Sequence, residues 1–444
     1  MKIAMVTLQY KETATGGGGV HVKKICEQFV KMGMEVTVLS IHTDKTLEGA
    51  ELTGDTVSCS LSRQDGLDVV RILIDRGLEH PYTGGKEEEL RRIRKFADAS
   101  VTWLKERDGE FDVINLHGHH TVPGYMAKEL LGSKAKIVSY LHALETTYVT
   151  GKGDFVGAFS GTSEVLARIR EWEAMCRYAD IIMVNSPMVR GEIMDIIAEY
   201  DTDKNKYHDK IVILASGCNG DFMMEDEEIR SKLKDRPEIV NLVTFCRIDP
   251  SKGVEYSIAG AKKAAELSSY KFSLTIAGIP ASEEYLARLK KEAKETPDNL
   301  TIDLKLLDAI SHSDEKKSIL DDKHIYILPT LKEPFGMSLV EASARGNMIV
   351  SADTNGPGYM FESGNGERTE WGIITERGVL AAITNDHNKN FPGNVGKAIV
   401  WVTDNWEKSV QRVVEFNKKI RSTWTWEGIA RQYVELFETG KIRV

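Results

Sequence analysis

The segment Ile325-Tyr-Ile-Leu-Pro329, followed closely by Glu333-Pro-Phe-Gly-Met-Ser-Leu-Val-Glu341, has the pattern of an apolar strand, a turn and the start of a helix. The first glutamate lies at the predicted strand-to-helix turn, and the second follows about two helical turns later. Both carboxylates can therefore face one ligand that lies across the N-terminus of the helix. Glu341 could equally be an ordinary solvated helix residue, so the interpretation depends on the residues around this pair.

Short apolar runs alternate along the chain with longer amphipathic segments. This alternation predicts βαβ units and parallel sheets, and the runs fall into two successive series. We therefore predict an α/β protein with two doubly wound, Rossmann-like domains. Ligands of open α/β sheets bind at the carboxyl ends of the strands, so two such sheets facing each other would enclose a cleft. The predicted strands are Ile3–Thr7, Glu35–Leu39, Val113–Leu116, Lys136–Tyr140, Ile181–Asn185 and Ile211–Leu214, then Ile239–Thr244, Phe272–Ala277, Thr301–Lys305, Ile325–Leu328 and Met348–Ser351.

The length of 444 residues suits two or three domains of ordinary size. We place the main boundary near Ala215-Ser-Gly-Cys-Asn-Gly-Asp-Phe222, where small residues and an Asn-Gly step interrupt the periodicity. The N-terminal domain is predicted to span residues 1–218 and the C-terminal domain residues 219–420. The remaining segment, 421–444, combines helical apolar spacing with several aromatic residues, so it should pack as a helix.

The composition excludes several classes of protein. With 41% hydrophobic and 28% charged residues the chain is that of an ordinary globular protein. Its net charge of -9 argues against nonspecific nucleic-acid binding, which needs a broad basic surface. The five cysteines are odd in number and form no C-x-x-C pair, which fits the reducing cytoplasm better than a disulfide framework. No membrane span is expected, because no run of 18 apolar residues occurs.

Four consecutive glycines, Gly16, Gly17, Gly18 and Gly19, follow the first predicted strand and precede a helix-like segment. Glycines allow backbone amides to approach an anion closely, and a helix N-terminus favours negative charge. The stretch is neither a Walker loop nor the G-x-G-x-x-G dinucleotide fingerprint, since its spacing differs and no Gly-Lys-Ser/Thr follows. It predicts an anion-binding turn, with a flexible surface loop as the alternative.

Three histidines, His117, His119 and His120, come at the end of the strand predicted after Asp112. Metal binding is a weak interpretation, because histidines at i, i+2 and i+3 in a loop lack helical i, i+4 geometry and no carboxylate lies beside them. A histidine directly after a strand lies instead where open sheets bind ligands, and it can hydrogen-bond a sugar hydroxyl. A structural role is at least as good an interpretation for His142, which follows the next strand.

Two cations, Arg247 and Lys252, follow the first strand of the second series in Arg247-Ile-Asp-Pro-Ser-Lys-Gly253. A guanidinium offers a fixed fork of donors to a phosphate, and an ammonium adds a point charge. Together they could hold a diphosphate within an otherwise acidic protein. A surface pair of cations is the alternative, but it does not account for their position at a strand end beside a glycine that begins a helix.

These residues resemble the retaining glycosyltransferases of family 4, which have the GT-B fold and include sucrose-phosphate synthases and relatives of glycogen synthase. The resemblance extends over nearly the whole chain, and its specific part is the Glu-x7-Glu element combined with the Arg/Lys pair. The hinge element Ala215-Ser-Gly-Cys-Asn219 and the run of four glycines differ from the family pattern. The matching motifs are Gly16–Gly19, Asp112-Val-x-x-x-His117, Arg247-x-Asp-Pro-x-Lys-Gly253, Glu333-Pro-Phe-Gly-x-x-x-x-Glu341 and Asn355-Gly-Pro357.

The resemblance implies a role for each matching residue. Arg247 and Lys252 would bind the nucleotide diphosphate, Glu333 would bind sugar hydroxyls, and Glu341 would bind the ribose. His117 would contact the transferred sugar. The implied catalytic set is His117, Arg247, Lys252 and Glu333, and the implied donor-binding set is Gly16, Gly17, Gly18, Gly19, Phe335, Gly336, Met337, Ser338 and Glu341.

The resemblance also implies which histidine contacts the sugar and where the C-terminal segment lies. Aligning the aspartate Asp112 puts the sugar contact at His117 rather than at His119, two positions on. The segment 421–444 would cross back onto the N-terminal domain.

The function implied by the resemblance is retaining transfer of a hexose, by a cytoplasmic hexosyltransferase of the EC 2.4.1 type. The donor would be a UDP-, GDP- or ADP-sugar, and the acceptor a small molecule that carries a phosphate or not, as in the synthesis of sucrose phosphate or a compatible solute. Departure of the diphosphate would be stabilised by the two cations and by amide dipoles, so neither a cofactor nor a metal is expected.

Three alternatives remain open. A lipid-directed mannosyltransferase would use a basic amphipathic helix, but the segment from Lys86 to Lys105 mixes acidic with basic residues and suits a core-facing surface helix better. A nucleotide-sugar 2-epimerase would share the architecture, although the motifs fit a transferase better. A noncatalytic sugar-nucleotide sensor would not need every candidate site residue.

Overall fold

The computed structural model describes residues 1–13, 17–80, 85–118, 122–144, 163–307, 313–383 and 387–442. The chain divides into two units, one formed by Met1–Ser216 with Trp426–Val444 and the other by Gly217–Thr425. The chain first passes from one unit to the other after Ser216, close to the domain boundary predicted at residue 218. It returns to the first unit after Thr425, a few residues beyond the boundary predicted at residue 420.

Eight strands form the sheet of the first unit: β1 (Lys2–Val6), β2 (Glu35–Ile41), β3 (Cys59–Gln64), β4 (Leu67–Ile72), β5 (Val113–Gly118), β6 (Lys136–Leu141), β7 (Ile181–Val184) and β8 (Ile211–Ile213). They lie in the order β3-β4-β2-β1-β5-β6-β7-β8. Neighbours are parallel except β3 and β4. All six strands predicted in this half are confirmed, because parallel strands buried on both faces leave continuous apolar runs in the sequence.

The hairpin β3–β4 was not predicted. Its two strands are joined by Asp65 and Gly66, which both have positive φ, at 51° and 84°. Such a two-residue Asp-Gly loop is a strong hairpin signal. The polar composition of the edge strand, with Ser60, Ser62 and Arg63, hides the alternation expected of a strand.

Helices cover this sheet: α1 (Gly17–Lys31), α2 (Asp44–Leu47), α3 (Lys86–Lys105), α4 (Val122–Glu129), α5 (Ser163–Ala174) and α6 (Pro187–Ala198). Helix α6 shows how the sequence sets a helix start. The hydroxyl of Ser186 accepts a hydrogen bond from the amide of Val189, and Pro187 takes the first helical position, where no amide hydrogen is needed.

The sheet of the second unit has the strands β9 (Ile239–Phe245), β10 (Lys271–Gly278), β11 (Leu300–Leu306), β12 (Ile325–Leu328), β13 (Met348–Ala352), β14 (Glu367–Arg368), β15 (Gly372–Ile374) and β16 (Val379–Ala381). Their order is β11-β10-β9-β12-β13-β16-β15-β14. The strands are parallel as far as β16, whereas β15 and β14 are antiparallel. The five predicted strands are confirmed, and the three short strands at the sheet edge were not predicted.

Eight helices are described in this unit: α7 (Asp226–Lys232), α8 (Val254–Leu267), α9 (Glu283–Glu292), α10 (Ser313–Asp321), α11 (Met337–Ala344), α12 (Asn355–Met360), α13 (His387–Asp404) and α14 (Trp406–Thr423). Helix α8 follows β9, α11 follows β12 and α12 follows β13. Because β9, β12 and β13 are neighbours in the sheet, the loops after their carboxyl ends lie side by side.

The last helix, α15 (Trp426–Thr439), belongs to the first unit, as the resemblance implies for this segment. The ring of Tyr433 lies 5.7 Å from that of Phe29 on α1, and its hydroxyl is 2.8 Å from Nε2 of the buried His21. The helix is thus held by aromatic packing and by a buried polar contact.

The remaining general predictions concern cysteines and membranes. All five cysteines are unpaired and buried, so they act as small apolar side chains. Within the described residues, no helix combines the length and the apolar character that crossing a bilayer would require.

Candidate functional site

Three loops of the second unit meet at the carboxyl ends of β9, β12 and β13. The hydroxyl of Thr330, after β12, donates to the carbonyl of Ser251, after β9, over 3.1 Å. The amide of Gly356, after β13, donates to the carbonyl of Glu333 over 2.9 Å. The residues predicted from three separate motifs are therefore held in one place.

Close backbone packing explains the glycine that ends the loop after β9. Gly253 has φ 65° and ψ 34°, in the left-handed region. A Cβ atom there would lie 2.2 Å from the carbonyl oxygen of Pro329, which leaves no room for another residue. The left-handed turn brings Lys252 towards the loop that carries Glu333.

Lys252 and Glu333 form an ion pair with 2.6 Å between Nζ and Oε2. Their side chains are 22% and 13% exposed, so the pair is largely shielded but still reachable from solvent. Burial raises the pKa of the neighbouring Cys246 thiol to about 12, while Lys252 and Arg247 oppose the shift and Glu333 adds to it. All three charged groups thus lie within electrostatic range of the end of β9.

Arg247 lies at the edge of this arrangement. Its side chain is 51% exposed, and one guanidinium nitrogen is 3.6 Å from Oδ2 of Asp249. Asp249 is itself fixed by the amide of Ser251, which donates to it over 2.9 Å. The guanidinium can therefore contact an incoming anion without first breaking a buried interaction.

Helix α11 begins at Met337, four positions after Glu333. Gly336 precedes it with φ 106° and ψ 52°, and a Cβ atom there would lie 3.5 Å from Cγ of Glu333. Phe335 is buried, with its ring 5.6 Å from that of Trp424. Met337 and Ser338 open the helix, where the first backbone amides have no partner within the helix and favour an anion.

Glu341 lies one turn into α11 and contacts Lys316 of α10. The ammonium and Oε2 of the carboxylate form a short ion pair, with the two side chains 10% and 14% exposed. The motif search missed Lys316. The sequence does contain an indication of its role. Lys316 is spaced i, i+3, i+4 with Ile319 and Leu320, so this lysine lies on the apolar stripe of its helix.

Tyr326, in β12, is fully buried. Its hydroxyl donates to the carbonyl of Phe245 over 2.6 Å. Burial raises the pKa of Tyr326, and the carboxylates of Glu341 and Glu333 both add to the shift. Both carboxylates therefore lie within electrostatic range of this hydroxyl.

His117 occupies a different environment, in the first unit. Its ring is fully buried, with Nδ1 3.2 Å from Nε2 of His142 and its centroid 6.3 Å from that of Tyr433 on α15. Burial lowers its pKa to about 3. Among the described residues its Nε2 has no hydrogen-bond partner, and the predicted contact of His117 with the transferred sugar stays a prediction. His119 lies outside the described residues.

Three of the four consecutive glycines are helical rather than part of a loop. Gly17, Gly18 and Gly19 form the first turn of α1, and Gly16 lies outside the described residues. The prediction of an anion-binding turn at these positions stays a prediction.

A surface cavity of about 640 Å³ in the second unit is lined by residues such as Asp314, Lys317 and Arg345. None of the predicted donor residues lines it, and its side chains already pair with one another, as Lys317 does with Asp221 and Asp314. We therefore do not assign the donor to this cavity. No group of three or more metal-ligating side chains occurs within the described ranges.

Comparison with known proteins identifies the family and the fold. The family model described as "Glycosyltransferase Family 4" matches residues 15–200, and the model described as "Glycosyl transferases group 1" matches residues 225–384. A probable sucrose-phosphate synthase of Thermosipho melanesiensis is 24% identical, over 95% of this chain and 90% of that protein.

Solved structures share the fold. The sucrose-phosphate synthase of Thermosynechococcus elongatus superposes with a TM-score of 0.70 at 16% identity, covering 98% of both chains. An Escherichia coli structure, described as trehalose-6-phosphate bound with UDP-2-fluoro glucose, gives a TM-score of 0.66 at 11% identity, covering 100% of both chains. With the two family models matching successive parts of the sequence, the chain belongs to the family 4 glycosyltransferases and has the GT-B fold.

Proposed function

We propose that the protein transfers a hexose, with retention of anomeric configuration, from a nucleoside diphosphate sugar to a small phosphorylated acceptor. The observation that carries the proposal is the contact between Lys252 and Glu333 beside the N-terminus of α11. A cation, a carboxylate and helix amides converge there, and these groups match the phosphate and the hydroxyls of a sugar nucleotide.

In this proposal the leaving diphosphate is bound by Lys252, Arg247 and the first amides of α11. Negative charge grows on the diphosphate as the anomeric C–O bond breaks, so groups already fixed around it stabilise the transition state more than the ground state. The ammonium of Lys252 has three N–H donors, so it can contact a phosphate oxygen while it still contacts Glu333.

Glu333 is assigned to the hydroxyls of the transferred sugar. A carboxylate accepts hydrogen bonds only, which suits hydroxyl donors, and the nearby Lys252 offsets the cost of placing its charge in a shielded position. The departing phosphate is proposed to take the proton of the acceptor hydroxyl, so that the new bond forms on the face from which the diphosphate leaves. The charge stabilisation is assigned to the protein's own cations rather than to a metal ion.

Three of the similar proteins support the choice of substrates. The names of the sucrose-phosphate synthases describe a phosphorylated product, and the Escherichia coli structure contains a UDP-sugar analogue. A phosphorylated sugar acceptor and a nucleotide-sugar donor are therefore the substrate classes to test first.

The test begins with thermal unfolding in the presence of UDP, GDP, ADP and their glucose and mannose conjugates, since a ligand that binds only the native state raises the melting temperature. The selected donor is then incubated with hexose phosphates and inositol phosphates, and the anomeric configuration of the product is read by NMR. Transfer with retention supports the proposal, and an inverted product contradicts it.

Other outcomes identify the alternatives. Consumption of the donor without an acceptor would indicate an epimerase or hydrolase. Binding without turnover would indicate a sensor. Transfer that requires anionic vesicles, with the protein floating alongside them, would indicate a lipid acceptor.

A further inference from the structure

Among the described strands of the second unit, β11 forms one edge of the sheet and pairs with β10 alone. Thr301, Asp303 and Lys305 are exposed, and Leu306 is 44% exposed although it lies within the strand. The backbone groups on the outer side of an edge strand can pair with a further strand, unless charges or a covering element prevent it. Strand β11 is therefore a candidate interaction surface.

The hydrogen bonds to β10 show which residues of β11 face outward. The carbonyl of Asn299 accepts from the amide of Phe272 over 2.8 Å. The amide of Leu307 donates to the carbonyl of Gly278 over 3.0 Å. Backbone groups alternate between the two sides of a strand, so the odd-numbered residues of β11 bond to β10 and the even-numbered residues point away from it. The outward-pointing residues in the second half of the strand are Ile302, Leu304 and Leu306.

These outward residues limit how a second copy of the strand can pair with this one. In an antiparallel arrangement two facing residues exchange their backbone hydrogen bonds, so even-numbered residues must face even-numbered residues. One such register places Leu304 opposite Leu304 of the second copy and Ile302 opposite Leu306. The odd-numbered side chains then meet in the closer, non-hydrogen-bonded pairs, where Asp303 lies opposite Lys305 on both sides of the axis.

The charges of β11 select this register. The neighbouring register in one direction would place Asp303 opposite Asp303 of the second copy, and the neighbouring register in the other would place Lys305 opposite Lys305. Like charges in facing positions are destabilising, whereas opposite charges stabilise the pair. Lys305 also pairs with Glu315 of its own chain over 3.3 Å, but its side chain is 44% exposed, so the ammonium can reach a second carboxylate.

Helix α9, which connects β10 to β11, has a matching pattern. Tyr285 and Arg288 contact Glu255 of α8, which identifies the side of α9 that faces this neighbour. Since α8 lies towards the centre of the sheet, the opposite side of α9 faces beyond the edge that β11 forms. At 3.6 residues per turn, the exposed residues on that opposite side are Glu283, Ala287 and Lys290.

A second copy would present the same side of α9 in the opposite direction. Glu283 would then lie near Lys290 of the other copy, on both sides of a crossing at the small side chain of Ala287. Leu304 lies about 7 Å before the carboxyl end of β11. Ala287 lies about 6 Å along α9, which starts at that same end of the sheet. One two-fold axis can therefore pass through both crossings.

We infer that the protein associates with a second copy of itself through β11 and α9. The two sheets join across a two-fold axis at Leu304, with Asp303 and Lys305 paired in both directions, and the two α9 helices pack beside the joined strands. The interface uses a sheet edge that is separate from the loops after β9, β12 and β13. The inference therefore goes beyond the proposed function and does not depend on it.

Sedimentation velocity of the whole chain measures this association, and the wild type should be a dimer. A charge reversal in β11 replaces two attractive pairs by two repulsive ones, because each pair occurs twice across the axis. Asp303→Lys and Lys305→Asp should each raise the Kd of the dimer at least about tenfold. Both positions are exposed, so each variant should keep the circular dichroism spectrum of the wild type.

A mixture of the two variants tests the register itself. One chain then carries two positive charges in β11 and the other carries two negative charges, so the mixed pair is complementary where each variant alone is repulsive. Mixing should restore the dimer, which also shows that both variants are folded. Lys397→Asp reverses a surface charge paired with Glu370 and is the matched control, which should leave the dimer unchanged.

Three results would overturn the inference. A wild type that stays monomeric up to about 100 µM has no such interface. A dimer that survives both charge reversals uses a different surface, and variants that stay apart on mixing do not pair in this register. None of these results involves nucleotide binding, so each would leave the proposed function standing.

Discussion

The ammonium of Lys252 lies 2.6 Å from a carboxylate oxygen of Glu333, although the two residues belong to loops after different strands. The contact places a cation and an acceptor-only group side by side at the carboxyl end of the sheet. In the proposed function the cation faces the leaving diphosphate and the carboxylate faces the sugar. In that function the pair marks the position of the bond that is broken.

Lys252→Met should lower kcat for hexose transfer by roughly 10- to 1000-fold, because it removes a cation that stabilises charge developing on the leaving group. Steady-state kinetics with the selected donor and acceptor measure the change. Lys263→Met is the matched control, since Lys263 is a surface residue paired with Glu266, and it should leave kcat unchanged. Equal kinetics for Lys252→Met and the wild type would contradict the assignment.

Glu341→Ala should weaken binding of nucleoside diphosphates more than Glu333→Ala does, while Glu333→Ala should mainly reduce transfer. The difference follows from the separate positions of the two carboxylates, one paired with Lys316 and the other with Lys252. Calorimetry gives the affinities, and turnover at saturating donor gives the rates. The reverse ranking would show that the two roles are exchanged.

Gly356→Ala should destabilise the second unit by about 1–3 kcal/mol, as overpacking does elsewhere, and should reduce transfer. A Cβ atom at Gly356 would lie 2.4 Å from the carbonyl oxygen of Glu333 and 2.6 Å from that of Phe335. Both neighbours are backbone atoms, so the segment that carries Glu333 must move. Urea unfolding and kinetics measure the two effects.

Gly364→Ala provides the comparison for this variant. A Cβ atom at Gly364 meets nothing within 4 Å, so its stability should change by less than about 0.5 kcal/mol. Equal stabilities of the two alanine variants would mean that the backbone around Glu333 yields easily.

The burial of His117 predicts that the folded protein loses stability in acid. Burial lowers its pKa in the folded protein to about 3, whereas the unfolded chain takes up a proton near the ordinary value of about 6.5. As pH falls below 6.5 the unfolded state gains protons that the folded state does not, so this residue reduces the free energy of unfolding by about 1.4 kcal/mol per pH unit.

Between pH 7 and pH 5 the free energy of unfolding should therefore fall by about 2 kcal/mol less in His117→Asn than in the wild type. This difference does not depend on the stability of the variant at pH 7. Urea unfolding at the two pH values measures the difference. His208→Asn, at a largely exposed position, should follow the wild type. A parallel response of His117→Asn and the wild type would contradict the account.

The sequence predicted the parts of the fold that depend on local pattern. Parallel strands such as Ile325–Leu328 are buried along their whole length, so their residues form an apolar run that is easily recognised. The edge strand Cys59–Gln64 and the strands between Glu367 and Ala381 are polar or only two or three residues long, and their position depends on neighbouring strands. Their hydrophobic alternation is too weak or too short to identify them as strands from the sequence.

The site was predictable where one motif spans one loop, and less so where distant elements meet. Glu333 and Glu341 both lie in the segment that follows β12, so a single motif is enough to place them near the same end of the sheet. The pairing of Glu341 with Lys316 depends on how two helices pack, and the burial of His117 depends on α15, more than 300 positions further along the chain. Spacing within a motif cannot report such contacts.

Lys232→Met should change how stability depends on pH above neutrality. Burial lowers the pKa of Lys232 to about 7, well below the ordinary value for lysine of about 10.5. Between these values the unfolded chain holds a proton that the folded protein has released, so the contribution of Lys232 to the free energy of unfolding rises with pH, by at most about 1.4 kcal/mol per unit. The variant lacks this rise, so from pH 7 to pH 9 the free energy of unfolding of the wild type should increase by about 2–3 kcal/mol relative to that of the variant.

Lys234→Met, two positions away and exposed, is the control. Its free energy of unfolding in urea should run parallel to that of the wild type across this pH range. If Lys232→Met also runs parallel, the ammonium keeps its proton through its bonds to the carbonyls of Leu320 and Arg345, and burial does not control its charge.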